Sequence, residues 1–160
     1  MYRKYGLTVA ALSLACSAGG EGAPAESAAD REAIHAAVVR YQYRQFVKGV
    51  EEPIAVCLSV EADGERADPS ERLLRRLRDL PGLRPGTACA AGPEDVIVRD
   101  TGEPAVWLTV GSITWTGSDD VEVQAGYRRG RHSSARPTYR VVRERGGWIS
   151  LGPTMKADEA

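Results

Sequence analysis

Histidine, cysteine and phenylalanine are scarce in this chain, with two His, three Cys and one Phe in 160 residues. His35 and His132 lie far apart, and no two cysteines sit close together, so the repeated close spacing of zinc motifs is missing. Also missing are a Gly-rich phosphate loop, a Gly-x-Ser-x-Gly elbow and a Cys/His catalytic pairing. No metal, no cofactor and no enzymatic activity are therefore expected. Net charge is small, 21 Lys+Arg against 22 Asp+Glu, which argues against the basic footprint of a nucleic-acid binder. Long apolar runs are absent too. The stretch Leu7–Ala15 covers only about 14 Å as a helix, against about 30 Å of bilayer hydrocarbon. What remains is ordinary for a globular protein, at 42% apolar and 27% charged residues.

The N-terminus reads as an address. MYRKYG carries Arg3 and Lys4 and no acid, and the uncharged segment Leu7–Ala15 follows. Leu12-Ser13-Leu14-Ala15-Cys16 then resembles the lipobox of bacterial lipoproteins. The resemblance implies a signal peptide over residues 1–15, a diacylglyceryl group on Cys16 and a place in the cell envelope. It also implies that the membrane is a partner through that lipid. Ser13 departs from the pattern, which favours Leu three residues before the Cys. An ordinary secretory signal cut near Ala18, releasing a soluble domain, is the alternative. Ser17 after the lipid site resembles the outer-membrane class. Without residues 1–15, 19 Lys+Arg face 22 Asp+Glu. The following SAGGEGAPAESAA, residues 17–29, has no periodic apolar face, and a linker over residues 16–27 should be a flexible tether.

With Cys16 given to lipid, Cys57 and Cys89 remain. An even pair in an exported domain predicts a disulfide, with two buried thiols as the alternative. Residues 28–153 should form one α+β domain, and residues 154–160 a disordered tail. Ser27-Ala-Ala-Asp30 is a capping box. It should open a helix over Ala28–Lys48, with Ile34, Val38, Tyr41 and Gln45 as its stripe and Gly49 as its C-cap. A strand should cover residues 54–60. A second helix should open on Asp68-Pro69-Ser70-Glu71 and bury Leu73, Leu74, Leu77 and Leu80. Leu83–Glu94 should be a loop. Strands are then expected at Asp95–Arg99, Ala105–Trp115, Val121–Arg128, Thr138–Arg143 and Trp148–Leu151, with a bulge near Gly111 and a tight turn at Gly146-Gly147. The result is an antiparallel sheet of about five to six strands with two helices packed on one face. This element order resembles nuclear-transport-factor-2-like or cystatin-like folds. The stretch Val121–Trp148 also resembles uncharacterised exported bacterial proteins.

Three groups of side chains stand out. Arg128, Arg129, Arg131, Arg136 and Arg140, with Arg143 and Arg145, crowd one short stretch and could bind anions, since guanidinium forks grip phosphate and carboxylate bidentately. The alternative is a solvated, charge-guarded sheet edge. His35 would serve as a general base if it faced a cup in the sheet, and otherwise as a partly exposed helix residue. Glu94, Asp95, Asp100 and Glu103, and Asp119, Asp120 and Glu122, fall at turns and lack the calcium-loop pattern. The expectation is a lipid-anchored envelope protein that works by binding. An anionic envelope component or a protein would be its partner, and nucleic acid would not. A small cup-shaped hydrolase or isomerase, and a secreted structural domain, are the alternatives.

Overall fold

The computed structural model describes residues 27–47 and 54–154. Cys16, the tether, Lys48, Gly49 and the tail after Thr154 lie outside the described residues. The first helix, α1, spans Ala28–Val47. Its start follows the expected chemistry: the Asp30 amide donates to Ser27 Oγ at 3.0 Å, and Ser27 Oγ donates to the Asp30 carboxylate at 2.9 Å. Ile34 and Val38 face the core as expected. Gln45 does not. It is exposed, and Gln42 is buried in its place.

The second helix, α2, is short, Glu71–Arg76, and starts later than expected. Ser70, not Asp68, is the cap, accepting from the Leu73 amide at 3.1 Å. Asp68 instead accepts from the amide and hydroxyl of Thr87, at 2.9 and 2.6 Å. Leu73 and Leu77 are buried against α1, while Leu74 and Leu80 are only half-buried. Across the helix pair, Arg40 binds Asp79 with both terminal nitrogens and also donates to the Arg76 carbonyl at 2.6 Å.

Ten strands follow in chain order: β1 Ala55–Ala62, β2 Glu65–Ala67, β3 Leu83–Pro85, β4 Cys89–Ala91, β5 Val96–Val98, β6 Ala105–Trp115, β7 Asp120–Gly130, β8 Ser133–Ala135, β9 Thr138–Glu144 and β10 Gly147–Pro153. The fold is α+β, but the main sheet is mixed and has eight strands, not five or six antiparallel ones. Its order is β10-β9-β7-β6-β1-β2, with β3 on the other half of the β1 edge and β8 beside β7. β1 runs parallel to β6, with Val56 beside Val106 and Leu58 beside Leu108, and parallel to β3 as well. Short turns between strands favour antiparallel pairing. β1 and β6 are joined instead by a long crossover containing α2 and β3–β5, and such crossovers permit parallel pairing. The stretch Leu83–Glu94, expected as a loop, supplies β3 and β4.

Strand alternation divides the sheet into two faces. Val56, Leu58, Val106, Leu108 and Val110 point to α1 and α2 and form the main core with Ile34, Val38 and Leu77. Ala55, Cys57, Ala105 and Trp107 point the other way, where β4 and β5 pair as a small separate sheet carrying Cys89, Val96 and Val98. The Cys57–Cys89 disulfide, Cα atoms 6.2 Å apart, fastens that small sheet to β1. A bulge sets Gly111 and Ser112 against Gln124, as Gly111 predicted. The tight turn falls one residue earlier than expected, at Arg145-Gly146, both at positive φ, which a two-residue turn of this hand requires.

Acid should weaken this arrangement through its paired carboxylates. The hydrogen bonds from Arg40 hold the Asp79 carboxyl down to about 2. Asp30, bonded to Ser27 and Trp148, and Asp120, bonded to Arg140, are also lowered. Because these groups titrate lower in the folded chain than in the unfolded one, their contribution is complete above the ordinary carboxyl range, near pH 4. It is lost as pH falls toward 2. Urea midpoints should therefore be level above about pH 5 and drop below about pH 4. Arg40→Met should make the acid limb shallower, and an unchanged limb would exclude the Arg40–Asp79 pair as its source.

Candidate functional site

The helices cover one face of the main sheet, and the β4–β5 unit covers only the β1–β6 end of the other. The rest of that second face is open. There β1, β6 and β7 present Ser59, Trp107, Thr109, Gly126 and Arg128 side by side, since Trp107 is paired with Cys57 and Arg128, and Thr109 with Ser59 and Gly126. β8 and the residues after it add Ser134 and Arg136 from the β7 side. β2 adds Arg66 from the β1 side. Together they enclose a groove of about 360 Å³. Thr109 and Arg136 also line a smaller hollow of about 180 Å³, bounded by Glu61, Asp63 and Ser112.

Each wall is fixed by something identifiable. Trp107 donates from Nε1 to Ser59 Oγ at 2.9 Å. Gly86, in the 3-10 turn Gly86–Ala88, lies directly against Ser59, where any Cβ would overlap Oγ. The Arg66 guanidinium stands over the Trp107 ring, 5.9 Å from its centre. Gly126 keeps the floor low: a Cβ there would lie 2.9 Å from Thr109 Oγ1 and 3.0 Å from the Ala135 carbonyl. From the opposite face, Gln42 of α1 donates to the Gly126 carbonyl at 3.0 Å. Arg128 donates to the Gly92 carbonyl at 2.6 Å, and Arg136 pairs with Glu61.

The groove gathers part of the expected arginine cluster and disperses the rest. Arg128 and Arg136 line it. Arg129, the next residue along β7, is exposed and alternates to the other face. Arg131 leaves toward Glu94, bonded at 3.0 Å. Arg140 holds Asp120 through Nε and Nη2, at 3.0 and 2.5 Å from Oδ2. Arg143 crosses to the helix side, bonding Asp30 at 2.6 Å and lying 4.6 Å over the Trp148 ring. Of the five arginines expected to share one patch, only Arg128 and Arg136 line the groove, and four of the five are bonded within the chain. Two members were missed. Arg66 lies sixty residues away in sequence, and nothing in sequence sets Trp107 apart from the other residues of the Ala105–Trp115 strand.

His35 is not the exposed helix residue that the sequence favoured. It is 4% exposed, and its Nε2 donates to the Gly111 carbonyl at 2.8 Å, capping the bulge of β6. That bond turns the ring toward backbone support. The space between α1 and the sheet is filled by the main core side chains. Among the described residues no three His, Cys, Asp or Glu side chains are grouped to hold a metal, and no helix is long and apolar enough to cross a membrane. No family model, curated protein or solved structure matches this chain, so its groove has to be read from its own chemistry.

Proposed function

We propose that this chain is a lipid-anchored envelope protein that acts by binding, and that the open groove holds an anionic ligand. The observation that carries the reading is the lining of the larger hollow: Arg66 and Arg128, with Arg136 held at the border by Glu61, converge beside Trp107, and no carboxylate lines the larger part itself. Three guanidiniums favour a carboxylate or phosphate. The half-buried Trp107 face and the hydroxyls of Thr109 and Ser134 favour a ring or short chain that is apolar on one side and hydroxylated on the other. A carboxylate-bearing glycan of the cell envelope has that chemistry. The size of the groove, about 360 Å³, lies within the usual range for a small ligand.

Soluble, carboxylate-bearing peptidoglycan fragments are the probe for calorimetric titration of the full chain. Arg128→Glu with Arg136→Glu should weaken binding at least tenfold, and Trp107→Ala should weaken it at every salt concentration. Raising salt should weaken the native protein more than the arginine variant. Equal binding by the native and arginine variants would remove the groove from the reading. The anchor has its own arm: intact mass from membranes should show loss of residues 1–15 and acylation of Cys16, and Cys16→Ser should release the protein. An unacylated protein beginning elsewhere would replace the anchor with simple secretion.

A further inference from the structure

We infer that residues 17–26, which precede α1, fold back and seat in a basic groove between α1, α2 and the β9–β10 turn. This groove is on the helix side of the sheet and encloses about 810 Å³. α1 runs along it and contributes Ala29, Ala33, Ala36 and Ala37, so its floor is low. Arg75, Arg76 and Arg78 stand along the α2 side, and Arg143, Gly147 and Trp148 along the hairpin side. Part of this charge is already matched. Asp79 is bonded to Arg40, Asp30 is bonded to Arg143, and Arg75 lies 3.5 Å from Glu71. Arg76 and Arg78 are exposed, and neither guanidinium is bonded to a carboxylate among the described residues. The groove is left with positive charge beside a floor of methyl groups.

Position, charge and reach select this segment as the occupant. It joins the described chain at Ser27, the cap of α1, and Ala29 and Asp30 already line the groove. It carries Glu21 and Glu26 and no Lys or Arg, and its other residues are Ser, Gly, Ala and Pro, small enough for the alanine floor. Its reach follows from the helix pair. α2 runs beside α1 in the same direction: Arg72 pairs with Glu32 near the start, and Arg40 further on bonds Asp79 and the Arg76 carbonyl. Arg76 is thus level with Arg40, about 20 Å along the helix from Ser27. The extended chain from Ser27 back to Glu21 also covers about 20 Å. Lying antiparallel to α1, the segment brings Glu21 to Arg76 and Arg78 and keeps Glu26 near Arg143. A bilayer would match the charge but not the concave shape. A second copy could offer only the same segment, without the high effective concentration that direct attachment gives. The docking does not rest on the lipid anchor, but its consequence does. Seated, the segment leaves about 17 Å of chain between Glu21 and Cys16, against about 36 Å from Ser27, and holds the two helices toward the membrane.

The test is paramagnetic broadening of amide signals in the full chain, with Cys16→Ser to exclude lipid and a nitroxide label on Gly22→Cys. Cys57 and Cys89 are bridged, so the label has one thiol to take. The amides of Ala37, Arg40 and Arg76 should lose at least half their intensity, while Thr109 on the open face should keep its own. An unseated segment would broaden only the start of α1. Arg76→Glu with Arg78→Glu should restore the lost signals, as should about 1 M salt. Both arginines are exposed, and an unchanged circular-dichroism melt should show that this variant is folded. Adding Glu21→Arg with Glu26→Arg to it should bring the broadening back. No broadening at the Arg40 end, or broadening indifferent to these charges, would overturn the docking. Broadening of an unlabelled, isotope-enriched chain by a labelled, unenriched one would assign the segment to a second copy's groove and overturn it equally. So would an unbroadened protein that binds phosphatidylglycerol vesicles through Arg76 and Arg78, since the groove would then belong to the membrane.

Discussion

Replacing Cys57 and Cys89 together by alanine is expected to remove about 3–4 kcal/mol of stability, judged from the entropy of closing the loop in the unfolded chain. The loop is long, with a sequence separation of 32 residues, and both half-cystines are fully buried. For a domain of this size the loss corresponds to roughly 10–15 °C in melting temperature. The bridge also does something local. β4 and β5 are three residues each, too short to persist as an isolated pair in water. Without the bridge, the apolar contacts of Val96, Val98 and Ala88, the Arg128 bond to the Gly92 carbonyl, the Arg131–Glu94 pair and the Asp95–Gly130 bridge are left to hold this unit against the sheet. Urea unfolding of the double variant, followed by tryptophan fluorescence and by circular dichroism, should show the fluorescence change first, since Trp107 packs against the loosened unit. Coincident transitions at the native midpoint would show that the bridge contributes little to either.

Leu108→Ala should cost a comparable amount, about 2–5 kcal/mol, with a different signature. Leu108 is fully buried at the centre of β6 and faces the helices. Truncating it leaves a cavity in the main core, so all probes should shift together. Its neighbour Trp107 faces the groove, and Trp107→Ala should move ligand binding far more than the urea midpoint. One strand thus presents a groove residue and a core residue in succession, and the two variants test the proposed binding and the packing separately. Equal effects of both changes on stability and on binding would contradict this division.

The residues legible from sequence were those whose structure is decided nearby. The Ser27–Asp30 cap, the bulge at Gly111, the β9–β10 hairpin and the pairing of two remaining cysteines each depend on a few adjacent residues or on a count. β1 was legible as a strand but not in its direction, because direction is set by the crossover, and Ala55–Val60 looks the same pointing either way. The groove was half legible. Arg128 and Arg136 advertised themselves by their crowding, but crowding in sequence does not select a face: the pleat sent Arg129 away, and Glu94 before β5, Asp120 of β7 and Asp30 of α1 drew off Arg131, Arg140 and Arg143. Arg66 reaches Trp107 only because the β1–β2 hairpin folds back beside β6. His35 looked like a partly exposed residue of a helix, and Gln42 lay outside the expected apolar stripe. They are inside because two sheet carbonyls, Gly111 and Gly126, need donors there, and that need arises seventy or more residues later in the chain.

The parallel placement of β1 has a consequence for the order in which the protein can assemble. Along one edge β1 bonds to β6 from Ala55 to Val60, and β6 begins only at Ala105. A chain made from its N-terminus therefore carries an apolar strand and the Cys57 thiol for some fifty residues before the pairing strand exists. Contacts this distant in sequence form slowly. Cys89 arrives first, together with the β3 strand that pairs with β1 on its other edge. Oxidation at that stage would clip the crossover into a closed ring before the central strand is in place. The bridge would then act as a timing device, holding β1 in a shape β6 can enter, and refolding from the reduced chain should be slower than refolding with the bridge intact.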